Sequence, residues 1–205
     1  MDRIIVSTGN SNKLREIKRI LEGYDVDVIS KNDLGLNTIE IVEDGDTLEK
    51  NAIKKAKALW DQTRAIVIAD DTGLFVSSLN GAPGVHSSRY AGKDGDDKAN
   101  NDLLLRNMEH LPIGQREAYF KTVIAIIDRR GQTYLAEGIC KGTIGFEEIG
   151  LGGFGYDPLF IVEETGKTFG QMSDEEKNKL SHRGKAIRLT RKKLEEILNE
   201  NHDIK

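Results

Sequence analysis

The order of the apolar segments along this chain is the feature that most constrains its fold. An apolar run at Arg3–Thr8 predicts a buried strand, and an amphipathic helix follows it. Asp25–Ile29 predicts a second strand, and the capping-box pattern at Asp46–Glu49 predicts a second helix that extends to about Gln62. The run Ala65–Ala69 predicts a fully buried strand that ends where two aspartates begin.

The second half of the chain predicts a different pattern, with neighbouring strands joined by a tight turn. Ala118–Asp128 and Gln132–Thr143 are rich in β-forming residues and flank the turn Arg129–Gly131, which indicates a hairpin. A short strand and three helices are also predicted: Leu159–Val162, then Asp96–His110, Asp174–Leu180 and Lys185–Asn199. Alternation of strands and helices followed by a hairpin predicts an α/β fold with a mixed sheet.

Composition excludes several classes of protein. The 205 residues suit one domain or a two-lobed one, and the net charge of −4 argues against general binding to nucleic acid. Cys140 is the one cysteine, which excludes an internal disulfide framework and fits a packing role in a strand. No apolar run approaches the length of a membrane span, and the first ten residues do not resemble a signal peptide. We therefore expect a cytoplasmic protein without a membrane partner.

The segment Ser7–Glu16 places a glycine turn and a lysine between the first strand and the first helix. Backbone N–H groups at a helix N-terminus bind anions, and Lys13 would add a positive charge, so this segment suits a phosphate group. The alternative is an ordinary strand-to-helix turn that is capped by Asn10 or Ser11.

Two adjacent carboxylates, Asp70 and Asp71, follow the buried strand and precede Thr72-Gly73. Strand ends of this kind are common positions for active sites in α/β folds, and carboxylate oxygens are the ligands that Mg²⁺ prefers. Glu43, in the acidic loop before the second helix, is a candidate for a further ligand. The alternative is a solvated turn, although two buried carboxylates without a cation would be costly.

Two later segments have the composition of a ligand site. Gly152–Pro158 combines three glycines with Phe154, an aromatic residue that could stack on a base; the alternative is a tight turn with Phe154 in the core. Lys177 and the run Ser181–Gly184 concentrate hydrogen-bond donors, and Ser181, His182 and Arg183 are predicted to lie between two helices. The alternative for this second segment is a solvated helix face.

Taken together, these segments resemble the inosine triphosphate pyrophosphatase family, the XTP/dITP diphosphatases. The resemblance covers residues 7 to 186 in the family's order and is carried by STGNSNKLREI, TLEKNAIKKA, IADDTGL, GAPGVHSSRYAG, GGFGYDPLF and MSDEEKNKLSHRGKA. One position departs from the family, because Lys50 stands where an acidic residue often precedes the Asn-Ala pair. Glu49, one step earlier, would point about 100° away on a helix, so neither residue is assigned to the site.

The resemblance implies a single two-lobed domain over residues 1–205, elongated around a long mixed β-sheet, with the active site in the cleft between the lobes. It also implies a homodimer that depends on Mg²⁺. The implied reaction is hydrolysis of deaminated purine nucleoside triphosphates (ITP, dITP and XTP) to the monophosphate and pyrophosphate. Such an enzyme would cleanse the nucleotide pool before these bases enter DNA or RNA.

The resemblance also implies a role for each candidate residue. Glu43 and Asp71 would hold Mg²⁺, and Asp71, helped by Asp70, would orient or deprotonate the attacking water. Phosphate contacts are assigned to Thr8, Gly9, Asn10, Ser11, Asn12, Lys13, Lys55, Thr72 and Arg89. Contacts with the base are assigned to Phe154, Gly155, Tyr156, Asp157, Lys177, His182 and Arg183. Hydrogen-bond donors from Lys177, His182 and Arg183 would bind the 6-oxo acceptor of a deaminated purine. Opposite the 6-amino group of adenine the same donors would be left unpaired.

Two other functions are consistent with parts of the sequence. A non-catalytic nucleotide sensor could keep the same pocket, although intact Glu43, Asp71 and Lys13 favour an enzyme. A nucleic-acid-binding protein could use the basic stretch after Lys177, but the net acidity of the chain disfavours it.

Overall fold

The computed structural model describes residues 2–8, 10–23, 25–36, 39, 41 and 43–202. These residues form seven strands: β1 (Asp2–Val6), β2 (Val26–Ser30), β3 (Ile66–Val76), β4 (Pro83–Gly84), β5 (Glu117–Ile127), β6 (Thr133–Ile144) and β7 (Phe160–Val162). They also form five α-helices: α1 (Ser11–Ile20), α2 (Leu48–Thr63), α3 (Asp97–Asn107), α4 (Asp174–Leu180) and α5 (His182–His202). None of the described helices is long and apolar enough to cross a membrane.

The strands form one mixed sheet in the order β2-β1-β3-β5-β6-β7, with β4 paired to β3. β1 runs parallel to β2 and to β3, whereas β4 is antiparallel to β3 and β7 is antiparallel to β6. The predicted hairpin is confirmed: Asp128 N–H donates to Gln132 C=O at 3.0 Å between β5 and β6. The chain is therefore the mixed α/β protein that the order of its segments predicts.

The chain divides into two compact units, each with its own core. Unit 1 contains the described residues of Met1–Asp71, Thr122–Gly138 and Gly184–Lys205, and unit 2 contains Thr72–Lys121 and Ile139–Arg183. The core of unit 1 is aliphatic and is built mainly from β1, β3, β5 and α5. The core of unit 2 contains three packed phenylalanines, Phe120, Phe160 and Phe169, and also buries the side chain of Cys140, as the sequence predicts.

Strand β3 is longer than the sequence pattern predicts. The prediction that it ends at Asp70 is wrong, because the strand continues through both aspartates to Val76. β3 pairs with β1 as far as Ile68. Beyond that residue its backbone remains in the sheet and pairs with β4 at Leu74 and Phe75. Asp70 and Asp71 therefore lie within a strand, where their side chains are buried.

Two helix starts also differ from the prediction. The predicted capping box at Asp46–Glu49 is wrong. Thr47 is the N-cap of α2, and its hydroxyl accepts a hydrogen bond from the N–H of Lys50. Glu49 therefore lies one position before the third helical residue, where the acidic partner of a capping box stands. His182 and Arg183 do not lie in a break between helices but form the first turn of α5. Both are buried together with Gly184, and this packing outweighs the low helix propensity of the glycine.

A buried arginine joins several elements of unit 2. Arg116 is 1% exposed, and its guanidinium donates to the backbone carbonyls of Met108 at 2.6 Å, Ile144 at 2.8 Å and Gly145 at 2.6 Å. Met108 follows the last turn of α3, and Ile144 ends β6. Since helix ends leave carbonyls without intrahelical partners, Arg116 fixes the end of α3 against the sheet.

We expect Arg116→Ala to lower the free energy of unfolding by at least about 3 kcal/mol, because several buried carbonyls lose their donor. Urea unfolding followed by circular dichroism measures this change. Arg130→Ala, at an exposed arginine in the β5–β6 turn, is the control and should leave the midpoint unchanged. Equal midpoints for both variants would contradict the role given to Arg116.

Candidate functional site

The first group of candidate residues surrounds the start of α1 in unit 1. Asn10 caps the helix, since its side-chain oxygen accepts from the N–H groups of Asn12 at 2.9 Å and Lys13 at 3.1 Å. Thr8 is buried, and its hydroxyl accepts from the N–H of Asn10 at 3.1 Å. The predicted cap is thus confirmed, and the Thr8 and Asn10 side chains hold the turn. An anion bound at this end of the helix would share the backbone N–H groups of Asn12 and Lys13 with the side-chain oxygen of Asn10.

Lys13, on α1, forms an ion pair with a residue of β3. Its ammonium lies 3.0 Å from a carboxylate oxygen of Asp70, and the Asp70 side chain is 1% exposed. The Lys13 side chain remains 19% exposed, unlike that of its partner. This pair explains how a carboxylate can be buried at the middle of β3.

Lys55 joins both predicted metal ligands. Its ammonium lies 2.7 Å from Asp71 and 3.4 Å from Glu43. Burial opposes the charge on Lys55, but the nearby carboxylates of Asp71, Glu43 and Asp70 outweigh it and raise the pKa of Lys55. Burial raises the pKa of Asp71 as well, against the opposing effect of Lys55. The arrangement therefore contains a firmly charged lysine beside a carboxylate that holds a proton more readily than usual.

Asn51 is a functional candidate that the sequence reasoning missed. It is fully buried on α2, and its amide donates to the second oxygen of Asp71 at 3.3 Å. Its carbonyl oxygen accepts from Gly45 N–H at 2.8 Å, which fixes the amide's orientation. The available signal was its spacing, because Asn51 precedes Lys55 by four residues and therefore shares the buried face of the helix.

The residues around Asp71 fit a divalent cation by their chemistry. Glu43, Asp70 and Asp71, when ionised, carry one more negative charge than Lys13 and Lys55 balance. Within the described residues, no three Asp, Glu, His or Cys side chains gather as a metal cluster. Mg²⁺ does not require such a cluster, since it commonly takes one or two carboxylates and fills its other positions with water and substrate phosphate. Glu43 and Asp71 are suited to that role.

A second group of candidates lies in unit 2 around Phe154. Asp157 is 3% exposed and accepts two hydrogen bonds at 2.8 Å, from the ammonium of Lys177 and from the backbone N–H of Phe154. Lys177 also lies over the ring of Phe154, 4.7 Å from its centroid. Phe154 itself is half-buried. These three residues form one connected group.

Arg183 and His182 approach this group from the start of α5. The guanidinium of Arg183 lies 5.5 Å from the centroid of the Phe154 ring and donates to the Thr72 hydroxyl at 3.4 Å. His182 is buried with its ring stacked on Phe120, at 4.5 Å between centroids. The structure therefore brings Thr72, Phe154 and Arg183 together and places His182 against the aromatic core.

The remaining candidate residues are Tyr156, Arg89, Ser11 and Gly9. Tyr156 is buried in the core of unit 2, and its hydroxyl donates to Ser87 C=O at 2.7 Å, which favours a packing role. Arg89 is half-buried in the short turn Ser87–Arg89, and Ser11 is exposed. The remaining phosphate candidate, Gly9, lies outside the described residues.

Lys50 is exposed, and its ammonium lies 2.8 Å from Asp46, so it contacts neither of the groups described above. The sequence analysis assigns no role in the site to Lys50, and that assignment stays a prediction. Its neighbour Asn51 is buried and forms hydrogen bonds with Asp71 and Gly45. The two residues show how one step along α2 separates the solvent face from the site.

Comparisons with known proteins point to one family. A model of the Ham1 family matches residues 4–193. A dITP/XTP pyrophosphatase of Caldanaerobacter subterraneus subsp. tengcongensis is 47% identical over 98% of this chain and all of the relative. A dITP/XTP pyrophosphatase of Haemophilus influenzae is 42% identical over 94% of this chain and 98% of the relative. The solved structure of the Staphylococcus aureus Ham1 protein has a TM-score of 0.85 and 38% identity, covering 95% of this chain and 98% of that protein.

We expect Lys55→Met to lower the free energy of unfolding at neutral pH by about 3–5 kcal/mol, because it leaves buried Asp71 without its counter-charge. The deficit should shrink as the pH falls. Without Lys55 the pKa of folded Asp71 rises further above its unfolded value, so the folded variant binds more protons and gains stability in acid. Urea unfolding between pH 5 and 8 measures both effects. Lys57→Met, at an exposed lysine of α2, is the control, and a deficit that grows in acid would contradict this account.

Proposed function

This chain belongs to the Ham1 family, and we propose from that membership that it is a dITP/XTP pyrophosphatase. The reaction is hydrolysis of deaminated purine nucleoside triphosphates (ITP, dITP and XTP) to the nucleoside monophosphate and pyrophosphate. The bond that breaks joins the α-phosphorus to the bridging oxygen of pyrophosphate, and water supplies the new oxygen on the α-phosphorus. The role in the cell is removal of these nucleotides before polymerases use them.

The observation that carries the proposal is the pairing of two buried carboxylates on β3 with two lysines from α1 and α2. Lys13 and Lys55 supply positive charge for a triphosphate, while Asp70 and Asp71 hold that charge in place when no substrate is bound. Positioned charge of this kind provides most of the catalysis in phosphoryl transfer. Apolar packing alone would not place four ionised groups at the edge of an aliphatic core.

Glu43 and Asp71 would hold Mg²⁺ in this proposal. When bound, the ion would neutralise phosphate oxygens and stabilise the charge that develops on the leaving pyrophosphate. Lys55, which lies beside both carboxylates, would contribute positive charge on the protein side of the phosphate chain.

Asp71 is also the residue that we assign to the attacking water. Burial raises its pKa, and a carboxylate with a raised pKa accepts a proton more readily near neutral pH. The Asn51 amide holds one oxygen of Asp71 at 3.3 Å and Lys55 holds the other at 2.7 Å, so the carboxylate has a fixed orientation. Asp71 can therefore orient the water and accept its proton, with Asp70 helping to maintain the local negative potential.

The purine is assigned to the group around Phe154 in unit 2. The half-buried ring offers a stacking surface, and Lys177 and Arg183 place positive charge beside it. A 6-oxo purine presents an acceptor to such donors, whereas the 6-amino group of adenine presents another donor. Buried donors that lose their acceptor cost about 1–3 kcal/mol each, which is enough to discriminate between these bases.

Family resemblance supports three further parts of the proposal. These are dependence on Mg²⁺, a homodimeric assembly and a cytoplasmic location. Membrane and nucleic-acid partners form no part of it.

A panel of nucleoside triphosphates with Mg²⁺ tests the proposed function directly. We expect ITP, dITP and XTP to be hydrolysed at least about a hundredfold more efficiently than ATP, since a site built around specific hydrogen bonds discriminates strongly. The released product should be pyrophosphate, and chelation of the metal should abolish its release. An enzyme-coupled pyrophosphate assay beside an inorganic phosphate assay makes the measurement.

Asp71→Asn is the matched control for the panel because it keeps the size of the side chain and removes its charge. We expect its turnover of ITP to fall by about 10²- to 10⁴-fold while the protein remains folded. Binding of ITP without turnover by the wild type would instead indicate a nucleotide sensor. Release of inorganic phosphate in place of pyrophosphate would overturn the assigned reaction.

Arg183→Ala tests the assignment of the base group. We expect the preference for ITP over ATP, measured as the ratio of kcat/KM values, to fall by roughly ten- to a hundredfold because a donor for the 6-oxo group is lost. Arg188→Ala, at an exposed arginine five residues further along α5, should keep the preference of the wild type. Unchanged discrimination in Arg183→Ala would remove this residue from base selection.

A further inference from the structure

Helix α3 holds both backbone groups of Gly155, the residue that follows Phe154. The carboxylate of Asp97 accepts a hydrogen bond from the N–H of Gly155 at 2.7 Å, and the amide of Asn101 donates to its carbonyl at 3.2 Å. Asp97 and Asn101 are four residues apart and therefore lie on the same face of α3. One helix face thus binds the polar backbone atoms of a single glycine.

The two peptide groups that flank the Cα atom of Phe154 are both anchored. The N–H of Phe154 is bound by Asp157, and the N–H of Gly155, in the next peptide plane, is bound by Asp97. Fixing both planes fixes the backbone dihedrals of Phe154, and with them the direction in which its ring leaves the backbone. The orientation of the ring therefore depends on Asp97 as well as on the Asp157–Lys177 pair.

The conformation of Gly155 shows why this anchoring matters. Its φ is +60°, a left-handed conformation that favours glycine, although the space beside its Cα atom is open. No neighbouring atom packs at the position where a Cβ atom of this residue would lie. Hydrogen bonds from α3 supply the restraint that side-chain packing cannot.

Neither bond is explained well by stability alone. Asp97 is exposed, and hydrogen bonds to exposed groups contribute little to folding. Asn101 is 3% exposed, yet among the described residues its side-chain oxygen finds no hydrogen-bond partner, so it occupies a buried position at a cost. Its amide, by contrast, is fully engaged with Gly155 and with Glu148 at 2.8 Å.

We propose that Asp97 and Asn101 are positioning residues that orient Phe154 for stacking on the purine base. The inference rests on the proposed function, in which Phe154 contacts the base. Both residues act through the backbone of Gly155 and do not touch the substrate. Their removal should loosen binding of the base and leave binding of the phosphate chain intact.

Calorimetric binding of two probes tests the proposal without requiring turnover. Inosine monophosphate reports on the base group, and imidodiphosphate, which has no base, reports on the phosphate group. For Asp97→Ala and Asn101→Ala we expect the Kd for inosine monophosphate to rise roughly five- to tenfold, the effect of losing one hydrogen bond. The Kd for imidodiphosphate should stay within twofold of the wild-type value.

Three further variants provide matched comparisons on the same helix. Asp97→Asn keeps an oxygen acceptor in nearly the same place and should restore the affinity for inosine monophosphate. Asn100→Ala removes a neighbouring amide that is equally buried but bonds to Ala91 and Ser88, and Asp102→Ala removes another exposed carboxylate. Both should bind inosine monophosphate as the wild type does.

The result that would overturn the proposal is an unchanged Kd for inosine monophosphate in Asp97→Ala, or an equal loss of affinity for both probes. Asp97 is exposed, so its variant remains informative even if Asn101→Ala fails to fold. Failure of the proposed function gives a different result. In that case the wild type would show no preference for ITP in the hydrolysis panel, whatever the variants bind.

Discussion

The neutralisation of two buried aspartates on β3 is the constraint on which the structure of unit 1 depends. Asp70 and Asp71 are 2% and 6% exposed, and isolated carboxylates at such positions would be very unfavourable. Lys13 from α1 and Lys55 from α2 supply the counter-charges. Because each lysine must reach its aspartate, the ion pairs set where both helices lie against the strand. In the proposed function, the charges buried at this cost form a prearranged site for the triphosphate.

Unit 2 contains a comparable arrangement for a different purpose. Asp157 and Lys177 form a buried pair, with exposed side-chain fractions of 5% and 7%, and Asp157 also binds the backbone of Phe154. A buried ion pair contributes little net stability compared with apolar residues of the same size. Its value here lies in geometry, because it fixes the loop before the aromatic ring and places a cation over that ring.

Much of the fold could be predicted from the sequence because the hydrophobic periodicity of most elements is clear. The β5–β6 hairpin and the limits of α4 agree closely with the prediction, and Asn10 caps α1 as expected. The errors arise where tertiary contacts overrule local signals. β3 continues through Asp70 and Asp71 because lysines distant in sequence neutralise them, and α5 begins before Gly184 because its first turn is buried. Asn51 and Asn101 could not be assigned from composition, since their roles depend on which backbone groups they meet in the fold.

The candidate groups share one structural feature: short polar side chains in each group form hydrogen bonds with backbone atoms. Asn10 binds the first turn of α1, Asn51 binds Gly45, and Asp157 binds Phe154. Each of these hydrogen bonds restricts a backbone segment before any ligand binds. Without the bond, the segment would lose the same conformational freedom at the moment of binding. In the proposed function, that loss is incurred during folding, so a larger share of the interaction with substrate would remain for binding and for stabilising the transition state. The charged side chains of the candidate groups are therefore supported by backbone segments that these hydrogen bonds hold in place.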